Sequence, residues 1–363
     1  MRILVVNAGS SSLKLRVLDE AERLVGSEDL DPPRGPDDPA LDGALSRLGP
    51  VDAVGHRIVH GGRRYVAPVL VGPEVVAGLR ALVDLAPLHQ PKSLAALEAV
   101  GAALPEQPAV ACFDTAFHAT IPAAAATYAL PRAWNERWAL RRYGFHGLSH
   151  AYAARRAGEL LGRPLESLRI VTCHLGAGAS LAAVRDGRSV DTTMGFTPLE
   201  GLVMATRAGD VDPGLVLWLQ ERVGLAPAEL SAALESRSGL LGLAGTADMR
   251  EVLSRAAAGE AAATLALGVY LHRLRAGIAA MAAALDGLDA LVFTGGVGEH
   301  APAVRAGALA GLGHLGLALD AERNAAAEAD AEVGASGAQP RVLVITARED
   351  IEIARGVRSV LRA

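Results

Sequence analysis

Arg2-Ile3-Leu4-Val5-Val6-Asn7-Ala8-Gly9 and Arg169-Ile170-Val171-Thr172-Cys173-His174-Leu175-Gly176 can be laid on one another without a gap. Each is a β-branched and aliphatic run that stops at a glycine, the pattern of a buried strand entering a tight turn. Beyond the glycine both copies pass through small residues to a Ser-Leu step, with a one-residue slip, and enter a second run at 13–18 and 181–184. The repetition implies duplicated domains that each open strand–turn–strand. Buried strands before glycine turns also look alike by coincidence, so the repeat alone leaves both readings open. A third strand-to-glycine step is Leu291-Val292-Phe293-Thr294-Gly295-Gly296-Val297-Gly298. Around these steps, 71–83 and 93–104 are expected as amphipathic helices, and 107–113 and 342–345 as buried strands. The Ala-rich stretches 260–285 and 321–331 are expected as helices by propensity, with a closing helix at 350–361. Residues 29–42, with four prolines and five acids, are expected as a loop.

The chain has 363 residues, enough for two domains, with 51% hydrophobic and 21% charged residues, an ordinary globular composition. A net charge of −5 gives no electrostatic footprint for nucleic acid or an anionic membrane. Two cysteines cannot build a disulfide framework, which points to a reducing cytoplasm. The first apolar run is too short for a secretory segment, and the longest uncharged stretch, 115–131, carries a His and two prolines.

Glycine lets backbone N–H groups approach an anion closely, and small hydroxyl residues add donors without bulk. Three such turns, at 9–12, 176–180 and 295–298, fit nucleotide phosphates held by hairpins rather than by a helix-capping loop. None matches the Walker A pattern or the dinucleotide fingerprint. Most of the ten histidines cluster in short motifs at 56–62, 88–91, 113–118 and 143–150. Their spacing reproduces no zinc site, and Cys112 and Cys173 stand alone. Arg57 lies between two histidines and Arg207 within Met204-Ala205-Thr206-Arg207-Ala208-Gly209-Asp210. Both are flanked by small residues or histidine, a setting for a fork that grips a carboxylate or phosphoryl group.

Asn7-Ala8-Gly9-Ser10-Ser11-Ser12-Leu13-Lys14, the motifs 56–62, 113–118 and 143–150, and Met194-Gly195-Phe196-Thr197-Pro198-Leu199-Glu200-Gly201-Leu202 together resemble the acetate kinase family, in order from residue 3 to about 355. The resemblance implies an α/β fold of two duplicated actin-like (ribonuclease H-like, βββαβα) domains with an active-site cleft between them. The implied domains are 1–117, rejoined by the closing helix 351–363, and 118–350. The implied activity is reversible, Mg²⁺-dependent transfer of the ATP γ-phosphoryl group to acetate, giving acetyl phosphate and ADP. Mn²⁺ is an alternative metal, a homodimer is the implied assembly, and neither nucleic acid nor membrane is an expected partner.

Carried over by position, Asn7 and Glu349 match the metal-holding residues, and Ser10, Ser12 and Lys14 match phosphate contacts. His174, Leu175, Gly176, Ala177 and Gly178 form the second phosphate turn. Asp248, Met249 and Arg250, with Gly296, Val297, Gly298, Glu299 and His300, fall at the nucleoside end. Arg57 matches the substrate arginine, and Arg207 and His146 match the groups that stabilise the transferring phosphoryl. Asp114 matches the acid usually taken as catalytic; acetate is already ionised at neutral pH, so an orienting role is expected. Val59, Leu88, Phe145 and Pro198 match an acetate-methyl pocket. The family asparagine of the second turn is Ala177 here, another is His300, Ala205 replaces a glycine and Gln90 an asparagine. Two alternatives are carried: a propionate or other short-chain carboxylate kinase, and a nucleotide-binding ATPase or scaffold without kinase activity. The acetate-like opening turn argues against a butyrate enzyme, and retention of Arg57, Asp114, His146, Arg207 and Glu349 argues against a scaffold.

Overall fold

The computed structural model describes residues 1–9, 12–32, 35, 38–87 and 89–362. The site expectations for Ser10 and Leu88 lie outside the described residues. The chain divides into a first unit of Met1–Ala119, Phe145–Tyr152 and Arg348–Ala363, and a second of Thr120–Gly144 and Ala153–Ala347. Expected boundaries at 117/118 and 350/351 differ from this division chiefly in Phe145–Tyr152, which groups with the first unit.

In the first unit β1 (Ile3–Ala8), β2 (Leu13–Leu18), β3 (Leu24–Leu30), β4 (Ala53–Ile58), β5 (Val69–Leu70) and β6 (Ala109–Phe113) lie in the order β3-β2-β1-β4-β6-β5. The second unit has β7 (Arg169–Leu175), β8 (Ala179–Arg185), β9 (Arg188–Thr192), β10 (Ala290–Thr294), β11 (Ala331–Glu332) and β12 (Arg341–Val344) in the order β9-β8-β7-β10-β12-β11. The two orders are the same. In each, the first three strands are antiparallel, β1–β4–β6 and β7–β10–β12 are parallel, and the edge strand is antiparallel. Register settles the duplication that the sequence left open. Ile3 sits opposite Leu18 and Ala53, and Ile170 sits opposite Val184 and Ala290. The β2–β3 ladder is irregular between Val17 and Leu18, and β8–β9 is irregular at the equivalent step, Ala183 to Val184. A bulge repeated at one position is an inherited feature rather than a packing accident.

β1 is central and covered on both faces, which is why Ile3-Leu4-Val5-Val6 reads as an unbroken apolar run. Leu4 and Val6 join Leu41, Ala44, Ala96 and Val100 of the helices Pro39–Leu48 and Gln90–Ala103. Ile3 and Val5 face Ile353, Ala354 and Val357 of the closing helix Glu349–Leu361. That helix can approach because β4 carries Gly55 there: a Cβ would stand 2.6 Å from Ile353 Cγ2 and 2.7 Å from Val357 Cγ2. The closing helix begins at Glu349, so this packing also fixes a site residue.

Several expectations need correction. The residue pattern alone gave no signal for β3, β4, β5, β9 or β11, although the implied βββαβα order requires a third strand in each unit. β3 is partly exposed and carries Gly, Ser, Glu and Asp, while β4 carries Gly, His and Arg because it feeds the site. The expected loop 29–42 contains the end of β3 and the start of Pro39–Leu48, whose Asp38 side chain caps the Ala40 N–H. The helix expected over 321–331 is Ala321–Ala326, after which the chain turns into β11. The third glycine step is no hairpin: Gly295–His300 is a short helix directly after β10. Among the described residues no single helix is long and apolar enough to cross a membrane.

Candidate active site

Three neighbouring strands and the closing helix deliver one polar group each to the first unit. Asn7 is near the end of β1, Arg57 near the end of β4, Asp114 just past β6, and Glu349 at the helix start. Arg57 Nε and Nη2 donate to the two Asp114 oxygens at 3.1 and 2.6 Å, and Nη1 donates to Asn7 Oδ1 at 3.1 Å. Asn7 Nδ2 donates to Glu349 Oε2 at 3.1 Å, and that oxygen lies 3.6 Å from Arg57 Nε. The Asp114 side chain is 2% exposed and that of Arg57 16%. Burial opposes the charge on Arg57, but the carboxylates of Asp114 and Glu349 outweigh it and hold the guanidinium above its ordinary range.

Burial pushes the Asp114 carboxyl up to about 6 against the pull of Arg57, so it stays ionised at neutral pH. On acidification through that value Asp114 takes a proton and Arg57 loses its two-point partner. Turnover should therefore fall below about pH 6, and the Asp114→Asn variant should lose that acid limb. A wild-type pH–rate profile flat through this region would refute the assignment.

His146 adopts φ +55°, an uncommon left-handed backbone for a non-glycine residue, just before helix Gly147–Leu161. The turn is held from below: Gly147 N–H donates to the Asp114 carbonyl at 2.9 Å, and His118 Nε2 lies 3.0 Å from the Phe145 carbonyl. Phe145 is fully buried, with its ring edge-on to His60 at 5.5 Å, and Val59 is buried. Burial pulls His56, His60 and His118 down to about 4, so these rings are neutral and serve packing and orientation. Gln90 exchanges hydrogen bonds with the backbone of His60 at 3.1 and 3.0 Å. His60, Gln90 and His118 thus support Phe145 and His146. Their signal in sequence was membership of the same short motifs.

In the second unit, a largely apolar pocket of about 570 Å³ is lined by Gly176, Ala177, Asp248, Met249, Arg250, Gly296, Val297 and His300, all expected nucleotide residues. Ala205, Leu240, Leu253 and Tyr270 complete most of its wall. Ala177 is tied to Ala205 by an N–H···O bond of 3.1 Å, so the two substituted positions stand side by side. Of the other expected nucleotide residues, Leu175 and Gly298 are buried outside the lining. Glu299 directs its carboxylate to the N–H groups of Gly295 and Ala347, each at 2.9 Å, bracing the short helix. Gly178 closes its turn by accepting from Gly176 N–H at 2.9 Å, and His174 pairs across to Ser180 in β8. Ser12 lines a separate cavity of about 220 Å³ in the first unit, and Lys14 is exposed on β2.

Arg207 lies in the second unit. Its Nη1 donates to the Pro198 carbonyl at 2.8 Å and approaches Met204 Sδ at 3.5 Å. Among the described residues no carboxylate lies within ion-pair distance, and burial lowers its pKa. Arg57 is a paired cation; Arg207 is a cation held by a carbonyl. Among the described residues no cluster of three or more His, Cys, Asp or Glu is placed to hold a metal ion.

Twin sheets of one topology, one bearing a buried arginine–carboxylate clamp and the other an apolar pocket beside glycine turns, make up an actin-like α/β fold of two similar units. Residues 42–355 match the model of the acetokinase family. The chain is 49% identical to acetate kinase of Deinococcus radiodurans over 385 residues, 98% of this chain and 97% of that protein. It is also similar to the crystal structures of Porphyromonas gingivalis acetate kinase (35% identity, TM-score 0.91, 99% of both chains) and of a propionate kinase from Francisella tularensis (33% identity, TM-score 0.92, 99% of this chain and 100% of that one). The chain belongs to the acetokinase family.

Proposed function

We propose that this protein reversibly transfers the γ-phosphoryl group of ATP to acetate, giving acetyl phosphate and ADP by direct in-line attack. The observation that carries the reading is the buried Arg57 fork, gripped by Asp114 and Asn7 with Glu349 beside it. A guanidinium has five N–H donors, and among the described residues three are engaged, which leaves donors for a carboxylate substrate. Acetate and ATP are both anions, and phosphoryl transfer is chiefly positioning plus neutralisation of developing charge. Arg57 orients acetate; Arg207 and His146 stabilise the transferring group. Asp114 needs no proton-accepting role and holds Arg57 in place.

Asn7 Oδ1 and the Glu349 carboxylate are an oxygen-only donor pair, which suits Mg²⁺, or Mn²⁺, retaining several waters. A metal held there supplies charge neutralisation on the phosphate oxygens. The pocket lined by Met249, Val297 and Ala177 takes the nucleoside end, with Asp248, Arg250, Gly296 and His300 at its rim. Ser10, Ser12, Lys14, His174 and Gly178 are proposed phosphate contacts. Val59, Leu88, Phe145 and Pro198 are the proposed methyl pocket; one extra methylene there is worth about 1–3 kcal/mol, so propionate is a poorer substrate rather than an excluded one. Two buried free thiols, Cys112 and Cys173, suit a reducing cytoplasm.

The test is Mg·ATP turnover with acetate, propionate, butyrate or no acid, trapping acyl phosphate as hydroxamate. Product that depends on acetate and falls with chain length is expected; ADP release without hydroxamate would move the protein to the ATPase class. A homodimer is the proposed assembly, supported by large apolar side chains left half exposed on the second unit: Trp134 and Trp138 at 50% and 52%, and Leu217 and Trp218 at 54%. Sedimentation should give twice the monomer mass, and replacing Trp138 and Trp218 by Glu should halve it; an unaltered mass in both variants would place the interface elsewhere.

A further inference from the structure

The motif Met194–Leu202 contains Glu200, for which no role has been assigned above. Its carboxylate lies at the centre of a polar knot. Glu200 Oε2 accepts from the Tyr128 hydroxyl, and Oε1 accepts from Arg142 Nη2 at 2.5 Å. The same phenol oxygen accepts the Phe196 N–H at 2.8 Å. One hydroxyl therefore bridges both ends of the segment 196–200. At the middle of that segment stands Pro198, whose carbonyl receives Arg207 Nη1 at 2.8 Å.

The knot is built with little slack. Arg142 also donates to the Thr193 carbonyl at 3.1 Å and lies 5.7 Å from the centre of the Tyr128 ring. Asn135 Nδ2 fixes the Tyr128 carbonyl at 2.8 Å. Gly195 accepts from the N–H groups of Tyr143 and Gly144 at 3.0 and 3.3 Å. A Cβ on Gly195 would fall 1.6 Å from Glu200 Oε2 and 2.2 Å from the Tyr128 hydroxyl, so only glycine lets the loop close on the phenol. Burial and the neighbouring Glu200 keep Tyr128 protonated, as a donor must be.

We infer that Tyr128 and Glu200 are positioning residues: the phenol–carboxylate bridge across 196–200 sets Pro198, and through its carbonyl Arg207, for phosphoryl transfer to a small carboxylate. The inference rests on the reaction proposed above, which gives Pro198 to the acetate methyl and Arg207 to the transferring group. Tyr128 and Glu200 touch neither substrate. Loosening the loop moves two things together, the cation and the methyl wall, whereas Ala205 at the nucleoside pocket is held separately by its N–H bond to the Ala177 carbonyl.

The experiment compares wild type, Tyr128→Phe and Glu200→Gln. Misplacement of a positioned group by about 1 Å costs up to a hundredfold, so Tyr128→Phe should lower kcat roughly tenfold. Its kcat/KM ratio for propionate over acetate should rise about threefold or more as the wall relaxes. Glu200→Gln retains an acceptor for the phenol and should lie between the two. ADP affinity of Tyr128→Phe by calorimetry should stay close to wild type. A fall in kcat without the selectivity shift, no change in either, or ADP affinity weakening in step would each overturn the inference. Wild-type protein that makes no acetyl phosphate would instead refute the underlying reaction.

Discussion

Replacing Arg57 by alanine should lower kcat/KM for acetate about a thousandfold, because cations that neutralise a transferring phosphoryl or its acceptor carry effects of that order. The fold should suffer too. Asp114 is almost fully buried and its two oxygens are both given to Arg57, so the variant leaves a carboxylate in the interior without its partner. Breaking a buried pair from one side costs about 3–5 kcal/mol. The two consequences separate in the double variant Arg57→Ala/Asp114→Asn, which removes the orphaned charge. Its melting temperature should recover while hydroxamate formation does not. Lysine at this position should rescue little, since one ammonium cannot span Asp114 and Asn7 as the planar fork does. Turnover within tenfold of wild type in Arg57→Ala would remove Arg57 from the site.

Arg207→Ala should produce a loss of similar size by a different route. Here the cation has the Pro198 carbonyl as its main partner, and no carboxylate among the described residues is orphaned when it goes. Melting temperature should therefore stay near wild type. ADP and acetate binding should change only a few-fold, and kcat should fall about 10³-fold, the pattern of an interaction made chiefly in the transition state. The contrast is the test: one arginine variant loses stability and activity, the other activity alone. Equal destabilisation of both, or a large weakening of ADP binding in Arg207→Ala, would contradict the division of roles.

The predicted sites were legible unevenly, and the reasons are physical. Asn7, Arg57, Asp114 and His146 stand out in sequence because each breaks an apolar or small-residue pattern at the end of a buried strand or beside a glycine. The supporting groups do not stand out so. His118 and Gln90 act through backbone atoms of Phe145 and His60, and such contacts leave no spacing rule. Glu299 belonged to the expected nucleotide set, yet its carboxylate braces Gly295 and Ala347. The third glycine step looked like a hairpin because a strand followed by two glycines fits a turn and a helix start equally; the length of the helical segment decides, and that depends on what packs beyond it.

The sequence by itself determined most of the buried strands, the likeness of the two opening runs, the three glycine steps and the family, since these rest on local pattern and long contiguous motifs. Tertiary structure alone decided the partners. Only the shared strand order and the repeated bulge turn a repeat that could have been coincidence into a duplicated fold, because register is a relation between segments far apart in the chain. Only folding brings Asn7, Arg57, Asp114 and Glu349 together across 342 positions, with Gly55 admitting the helix that begins at Glu349. Local chemistry fixes which side chains are available; burial and distance fix which of them share a charge.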